Sequence, residues 1–134
     1  MLFRAIAPAA LALLAGAALA QDAPAPLTAT SEAGTYEASL APQADPIPLN
    51  TIQSWTLTLS DAEGEPVEGA TFAIDGGMPA HGHGLPTAPE VTEDLGEGRY
   101  LIEGIRFSMA GEWVLSLAVS AEPGDDTIVF RFTL

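Results

Sequence analysis

The sequence predicts an all-β protein, an immunoglobulin-like antiparallel β-sandwich of about seven short strands. The first observation is strict alternation: in the run 55–59, WTLTL, apolar residues take the odd positions and polar residues the even ones. A strand with one buried face requires this period of two. The second is the lack of sustained helical spacing after residue 20, together with eleven prolines, which disfavour long helices.

Six runs have strand character, and short turn signals separate most of them. The runs are 35–41, 52–60, 70–75, 99–105, 112–120 and 127–134. The turn signals include DAEG at 61–64, GEG at 96–98 and PGDD at 123–126, where Gly and Asp accept the positive φ of tight turns. Trp55, Trp113 and Tyr100 fall at inward positions or beside turns, so we expect them in the core. A barrel is the alternative to the sandwich.

The first twenty residues have the features of a secretory signal peptide. Arg4 precedes an apolar stretch that ends in the small-residue pattern of residues 18–20, ALA. The stretch is shorter than the roughly 20 apolar residues that span a bilayer, so we expect cleavage and no membrane insertion afterwards. Residues 21–33, rich in Pro and Ala, are predicted to be a flexible leader, and 34–134 the folded domain. The predicted location is the periplasm or the outside of the cell.

The charge of the chain excludes two classes of partner. Eighteen Asp and Glu against four Lys and Arg give a net charge of -14. Nucleic acids and anionic lipid surfaces are bound through Lys and Arg, so neither is expected as a partner. The carboxylates are spread along the sequence, which favours a role in solubility over an acidic binding patch. Without cysteine, stability must come from packing, and a metal site must use His, Met, carboxylate or backbone oxygen.

The segment 76–94, GGMPAHGHGLPTAPEVTED, interrupts the strand pattern and contains both histidines of the chain. Connections of this length in a compact domain are usually functional or disordered. Gly and Pro recur while charge is scarce before Glu90. This composition favours an ordered loop packed over one end of the sandwich.

Four residues in and near this loop form a candidate metal site. His81 and His83 are one residue apart, so in an extended backbone both imidazoles project to one face, about 6.5–7 Å apart at the backbone. Met78 lies three residues before His81, and Met109 follows a predicted strand end. Thioether sulfur favours Cu(I) and imidazole accepts both copper oxidation states, so the mixed set indicates copper. The alternative is that the methionines fill core gaps and the histidines are surface residues.

Catalysis is not expected. Ser108, a histidine and Asp75 could form a nucleophile relay, but no nucleophile-elbow motif is present. The acidic pairs at 93–94 and 125–126 match no Ca²⁺ loop and fit solvated turns. A hydrolase is therefore the third choice after the two binding functions given below.

Three motifs resemble the YtkA-like domain family, which is related to FixH-like periplasmic β-sandwich domains. They are GMPAHGHG at 77–84, GRY at 98–100 and FSMAGEW at 107–113, and the resemblance spans about residues 35–134. It implies a small exported or membrane-tethered β-sandwich, of a kind often linked to copper handling or cytochrome oxidase assembly. Ala80 stands where many relatives have a further methionine, and Ala110 replaces a frequent proline. The absence of a FixH-type anchor indicates a free periplasmic version.

These observations lead to two expected functions. The first is copper buffering or delivery, with Cu(I) favoured, through Met78, His81, His83 and Met109. A copper-acceptor or envelope protein would be the partner, approached by steering of the acidic surface toward a basic patch. The second is a metal-free interaction module of the cell envelope, docking through the 76–94 loop and the sheet edges. The sequence leaves the oligomeric state open.

Overall fold

The computed structural model describes residues 25–134, so the predicted signal peptide and the first four residues of the predicted leader lie outside the described residues. Nine strands and one 3-10 turn follow each other in the described part. The strands are β1 (Leu27–Thr30), β2 (Tyr36–Ala41), β3 (Gln53–Asp61), β4 (Thr71–Met78), β5 (His83–Gly84), β6 (Glu90–Gly96), β7 (Arg99–Ile105), β8 (Glu112–Ala121) and β9 (Gly124–Thr133). The 3-10 turn, Pro79–His81, lies between β4 and β5.

The strands form two antiparallel sheets, which confirms the predicted sandwich. One sheet has the order β1-β2-β3-β7-β6 and the other the order β5-β4-β8-β9. The six predicted runs correspond to β2, β3, β4, β7, β8 and β9. Three further strands, β1, β5 and β6, bring the number to nine.

All three of these strands correct the sequence prediction. β1 lies in the segment predicted as a flexible leader, and that prediction is wrong for Leu27–Thr30, which pair with β2 from Leu40 to Glu37. The segment 76–94 was predicted as a loop, and that prediction is wrong for residues 76–78, which end β4, for β5, and for residues 90–94 of β6. Two register shifts against β7 interrupt the ladder of β6. Such bulges break the period of two from which a strand is recognised.

The core lies between the sheets and is rich in aromatic side chains. Trp55 and Trp113 are fully buried and Tyr100 is 1% exposed, as predicted. Phe107 packs on both tryptophans, with ring centroids 5.6 Å from Trp55 and 5.1 Å from Trp113. Phe132 completes the group at 5.5 Å from Phe107. These tilted and edge-on arrangements are the ones that aromatic pairs prefer.

The connections between strands divide the sandwich into two ends. Residues 42–52, 79–89 and 106–111 meet at one end, which we call the histidine end because it contains His81 and His83. Residues 31–35, 62–70, 97–98 and 122–123 meet at the other, which we call the glutamate end. Tyr100 ties the glutamate end together: its hydroxyl donates to Val67 O at 2.7 Å and accepts from Ala70 N at 3.1 Å.

Candidate metal site

A tight hairpin between β4 and β5 positions the two histidines. β4 ends at Met78, the 3-10 turn follows, and Gly82 reverses the chain in the left-handed conformation with φ 63°. The Gly82 N–H donates to Pro79 O at 3.3 Å, which closes the turn. β5 then returns along β4, with His83 opposite Met78 and Gly84 opposite Gly77. His81 and His83 thus flank the bend at the tip of the histidine end.

The hairpin depends on two glycines in β4 because other backbone lies against them. A Cβ on Gly77 would lie 2.2 Å from His83 O and 2.8 Å from Gly84 Cα. A Cβ on Gly76 would lie 2.3 Å from Val114 O in β8. Contacts under 3 Å cannot be accommodated without moving the backbone, so Gly77 allows β5, and Gly76 allows β8, to approach β4 closely.

The two imidazoles are exposed and lie side by side. Their ring centroids are 6.2 Å apart and their planes are inclined by 22°. For one ion to bind a nitrogen of each ring at about 2.0–2.1 Å across this separation, the two nitrogens would have to face each other on opposite sides of the ion. The hairpin therefore keeps the two imidazoles as exposed neighbours at its tip, on either side of the left-handed bend at Gly82.

Met78 occupies a different environment from the histidines. Its side chain is 1% exposed and belongs to the core. Its methyl carbon packs on the backbone of Gly111, where an added Cβ would lie only 2.6 Å away. The sulfur therefore lies beneath the hairpin, as the core-filling alternative for this residue predicts.

Met109 lies on the connection that meets the hairpin at this contact. Its side chain is 41% exposed, and its carbonyl oxygen accepts a hydrogen bond from Trp113 Nε1 at 3.0 Å. Gly111, which touches Met78, is only two residues away. The fold therefore brings together the segments of all four predicted ligands but gives them unequal access, since His81, His83 and Met109 are exposed and Met78 is buried.

A groove beside His83 contains an acidic residue that the sequence interpretation assigned to a turn. The groove has a volume of about 320 Å³, and its lining includes Asp75, Met78, His83, Val114 and Ser116. The Asp75 carboxylate accepts a hydrogen bond from Gly76 N at 2.8 Å. No local pattern signals the shared groove, because Asp75 and Met78, the residue paired with His83, fall on opposite faces of β4. Within residues 25–134, no three His, Asp or Glu side chains are grouped closely enough to hold a metal by themselves.

Comparison with known proteins identifies the family of the chain. The sequence profile of the YtkA-like family matches residues 30–118, a range that includes the β4–β5 hairpin and the 106–111 connection. No curated protein sequence and no solved structure matches significantly. Between residues 25 and 134, none of the helical structure has the length and apolar character needed to cross a membrane. The match covers well over half of the sequence, and the chain therefore belongs to the YtkA-like family.

Proposed function

We propose that this protein is an exported copper-binding domain that buffers or delivers copper, with Cu(I) as the favoured ion. The observation that carries the proposal is the exposed pair of imidazoles, 6.2 Å apart at the tip of a hairpin whose geometry two glycines determine. Met109, exposed on the adjoining connection, supplies a soft thioether. Imidazole with thioether is a donor set suited to copper.

The four proposed ligands take different parts in binding. His81 and His83 receive the ion first because they are exposed and need no rearrangement. Met109 closes on it from the 106–111 connection. Met78 joins only when the hairpin lifts from Gly111, because its side chain is packed in the core. Exposed neutral donors can be replaced one at a time, so the site suits transfer to a copper-acceptor protein of the cell envelope rather than catalysis.

A second candidate function is a metal-free interaction module of the cell envelope. The observation in its favour is that the three exposed large apolar side chains of the described residues, Leu49, Ile52 and Met109, all lie in connections of the histidine end. Apolar groups collected on one face of a domain indicate a docking site. In this function the histidines would be incidental to the docking face.

A competition titration with Cu(I) tests the copper proposal. The protein purified after export is titrated against a calibrated Cu(I) chelator, beside the double variant His81→Ala/His83→Ala. We expect tight copper binding that the double variant loses while its thermal unfolding is unchanged. Met109→Leu, which removes the sulfur and keeps the volume, is expected to weaken binding less than the double variant.

Met78→Leu serves as the matched control, because it replaces a buried thioether with a side chain of similar volume. A smaller loss for Met78→Leu than for Met109→Leu supports the order of access given above. Absent binding, or binding that survives in the double variant, would sink the copper proposal and leave the interaction module.

A further inference from the structure

We infer that the histidine end is a self-complementary face through which two copies of this chain join around one metal ion, with His81 and His83 of each copy supplying four imidazoles. The inference rests on the proposed function, since it concerns the same two histidines. It adds the partner, a second copy, and the stoichiometry, one ion for two chains.

The distribution of apolar side chains supports a covered face at this end. Among the described residues the exposed large apolar side chains are Leu49 at 38%, Ile52 at 68% and Met109 at 41%. The connections that contain them are joined directly: Asn50 N donates to Phe107 O at 2.7 Å, and Arg106 donates to the Asn50 side chain at 3.4 Å. The hairpin adjoins them through the contact of Met78 with Gly111.

The distribution of charge indicates a second copy as the occupant. The connections of the histidine end hold one acid, Asp45, and one base, Arg106, and so carry no net charge apart from the histidines. Those of the glutamate end hold six acids and no base. The six are Glu32, Glu63, Glu65, Glu68, Glu97 and Glu122.

This difference in charge between the two ends favours a second copy of the chain over a basic partner at the histidine end. Two chains of net charge -14 repel each other, but contact between the two histidine ends keeps the two glutamate ends farthest apart. Charge repulsion between them is then screened over several Debye lengths of about 8–10 Å. A basic partner would instead be attracted to the glutamate end and would leave the histidines uncovered.

The donor geometry is compatible with two-fold symmetry. In a dimer of identical chains the same patch meets itself across the axis, so an ion on the axis receives the same donors from each copy. Two imidazoles from each chain give four nitrogen donors, the number of a closed tetrahedral site. The exposed rings of each pair must move closer than their present 6.2 Å to form that site, and the thioethers then take part only in the monomer. The dimer covers Ile52 and Leu49 and stores the ion. When it dissociates, the two imidazoles of each chain become accessible for transfer.

Sedimentation equilibrium measures the expected association. The protein purified after export is studied without metal and with Cu(I), Cu(II) or Zn²⁺ added in steps to one equivalent per chain. We expect monomer without metal, and dimer with one ion for every two chains at half an equivalent. His81→Ala/His83→Ala is expected to remain monomeric throughout.

Ile52→Glu separates the docking face from the ligands, because it changes an exposed side chain of the histidine end and leaves all four candidate ligands in place. It is expected to raise the dimer dissociation constant about tenfold or more. Ala62→Glu adds the same charge to an exposed position of the glutamate end and is expected to change it little.

The outcomes distinguish this inference from the function on which it rests. One ion bound by each monomer, with no dimer, would overturn the inference and leave the copper proposal intact. No bound ion at all would overturn both. A dimer that forms equally without metal, or that Ala62→Glu weakens as much as Ile52→Glu, would also contradict the arrangement.

Discussion

The two ends of the sandwich are built by different interactions. At the histidine end, connections rest on aromatic packing under Phe107 and on close backbone contacts at glycines such as Gly77 and Gly111. At the glutamate end, side chains hold the turns by hydrogen bonds to backbone groups. Asp61 Oδ1 accepts from the N–H groups of Glu63 and Glu65, both at 2.9 Å.

The difference shows that an even spread of acids along a sequence need not give an even spread in space. Alternate connections of an antiparallel sandwich return to the same end, so acids in every second connection collect there. Acids at the adjoining strand ends, such as Asp61 and Asp94, also accept hydrogen bonds from the N–H groups of these turns. The connections of the histidine end are left with one acid, Asp45, so the carboxylates nearest the hairpin, such as Asp75 and Glu112, come from the strands.

The largest expected effect comes from removing the aromatic support of the histidine end. Phe107→Ala deletes a fully buried ring that contacts Trp55, Trp113 and Phe132. We expect a loss of about 3–5 kcal/mol in the free energy of unfolding, because buried Phe to Ala changes combine lost transfer energy with a cavity. Denaturant unfolding followed by circular dichroism measures it. A loss below about 1 kcal/mol would show that packing does not hold this end.

The next effect tests the close approach of β5 to β4. Gly77→Ala places a Cβ 2.2 Å from His83 O, whereas Gly84→Ala, in the paired position, meets only Gly76 O at 3.8 Å. We expect Gly77→Ala to cost about 1–3 kcal/mol by overpacking and to weaken copper binding. Gly84→Ala should do neither, and equal binding by the two variants would contradict the role given to Gly77.

A smaller effect is expected from the hydroxyl that joins the connections of the glutamate end. Tyr100→Phe keeps the ring but leaves Val67 O and Ala70 N without the partners they have at 2.7 and 3.1 Å. We expect a loss of about 1–2 kcal/mol in the free energy of unfolding. Copper affinity, measured on the same samples, should not change, because the site lies at the other end. A change in affinity would show that the glutamate end influences the candidate site at the histidine end.

The smallest effect concerns the acid dependence of the glutamate end. A hydrogen bond from Ser31, with further bonds from backbone N–H groups, holds the pKa of Asp126 well below its ordinary value of 3.8. A lowered pKa contributes stability that is fully present above the ordinary value and is lost as the pH falls below it. Asp126→Asn should therefore flatten the decline of the thermal midpoint below about pH 4. Equal slopes for the two proteins would contradict this role.

The sequence predicted those parts of the fold that alternate regularly. Trp55 to Leu59 and Trp113 to Val119 keep one apolar face over several residues, and both segments are central strands. β6 was not predicted, because two bulges interrupt the alternating pattern around Val91 and Leu95. β1 was not predicted, because four residues beside a proline-rich segment are too few to show the period of two of a strand.

The sequence indicated which residue types the candidate site contains, but not which of them are buried. His81 and His83 are neighbours, but across a 3-10 turn and a left-handed bend at Gly82 rather than along the extended backbone that the prediction assumed. The burial of Met78 depends on register: it continues the alternate series of Phe72 and Ile74 along β4, so its side chain joins the core. The meeting of Gly111 with Met78 is a contact between distant segments, which local patterns do not determine.

The hydrogen bond from Trp113 to Met109 also makes the site visible by fluorescence. The chain has two tryptophans, and one of them donates its indole N–H to the carbonyl of a proposed copper ligand. Any movement of the 106–111 connection changes the polarity around that indole, while Trp55 bonds to Gln53 within its own strand. Native emission therefore reports on the candidate metal site, and no dye or added label is needed to follow it.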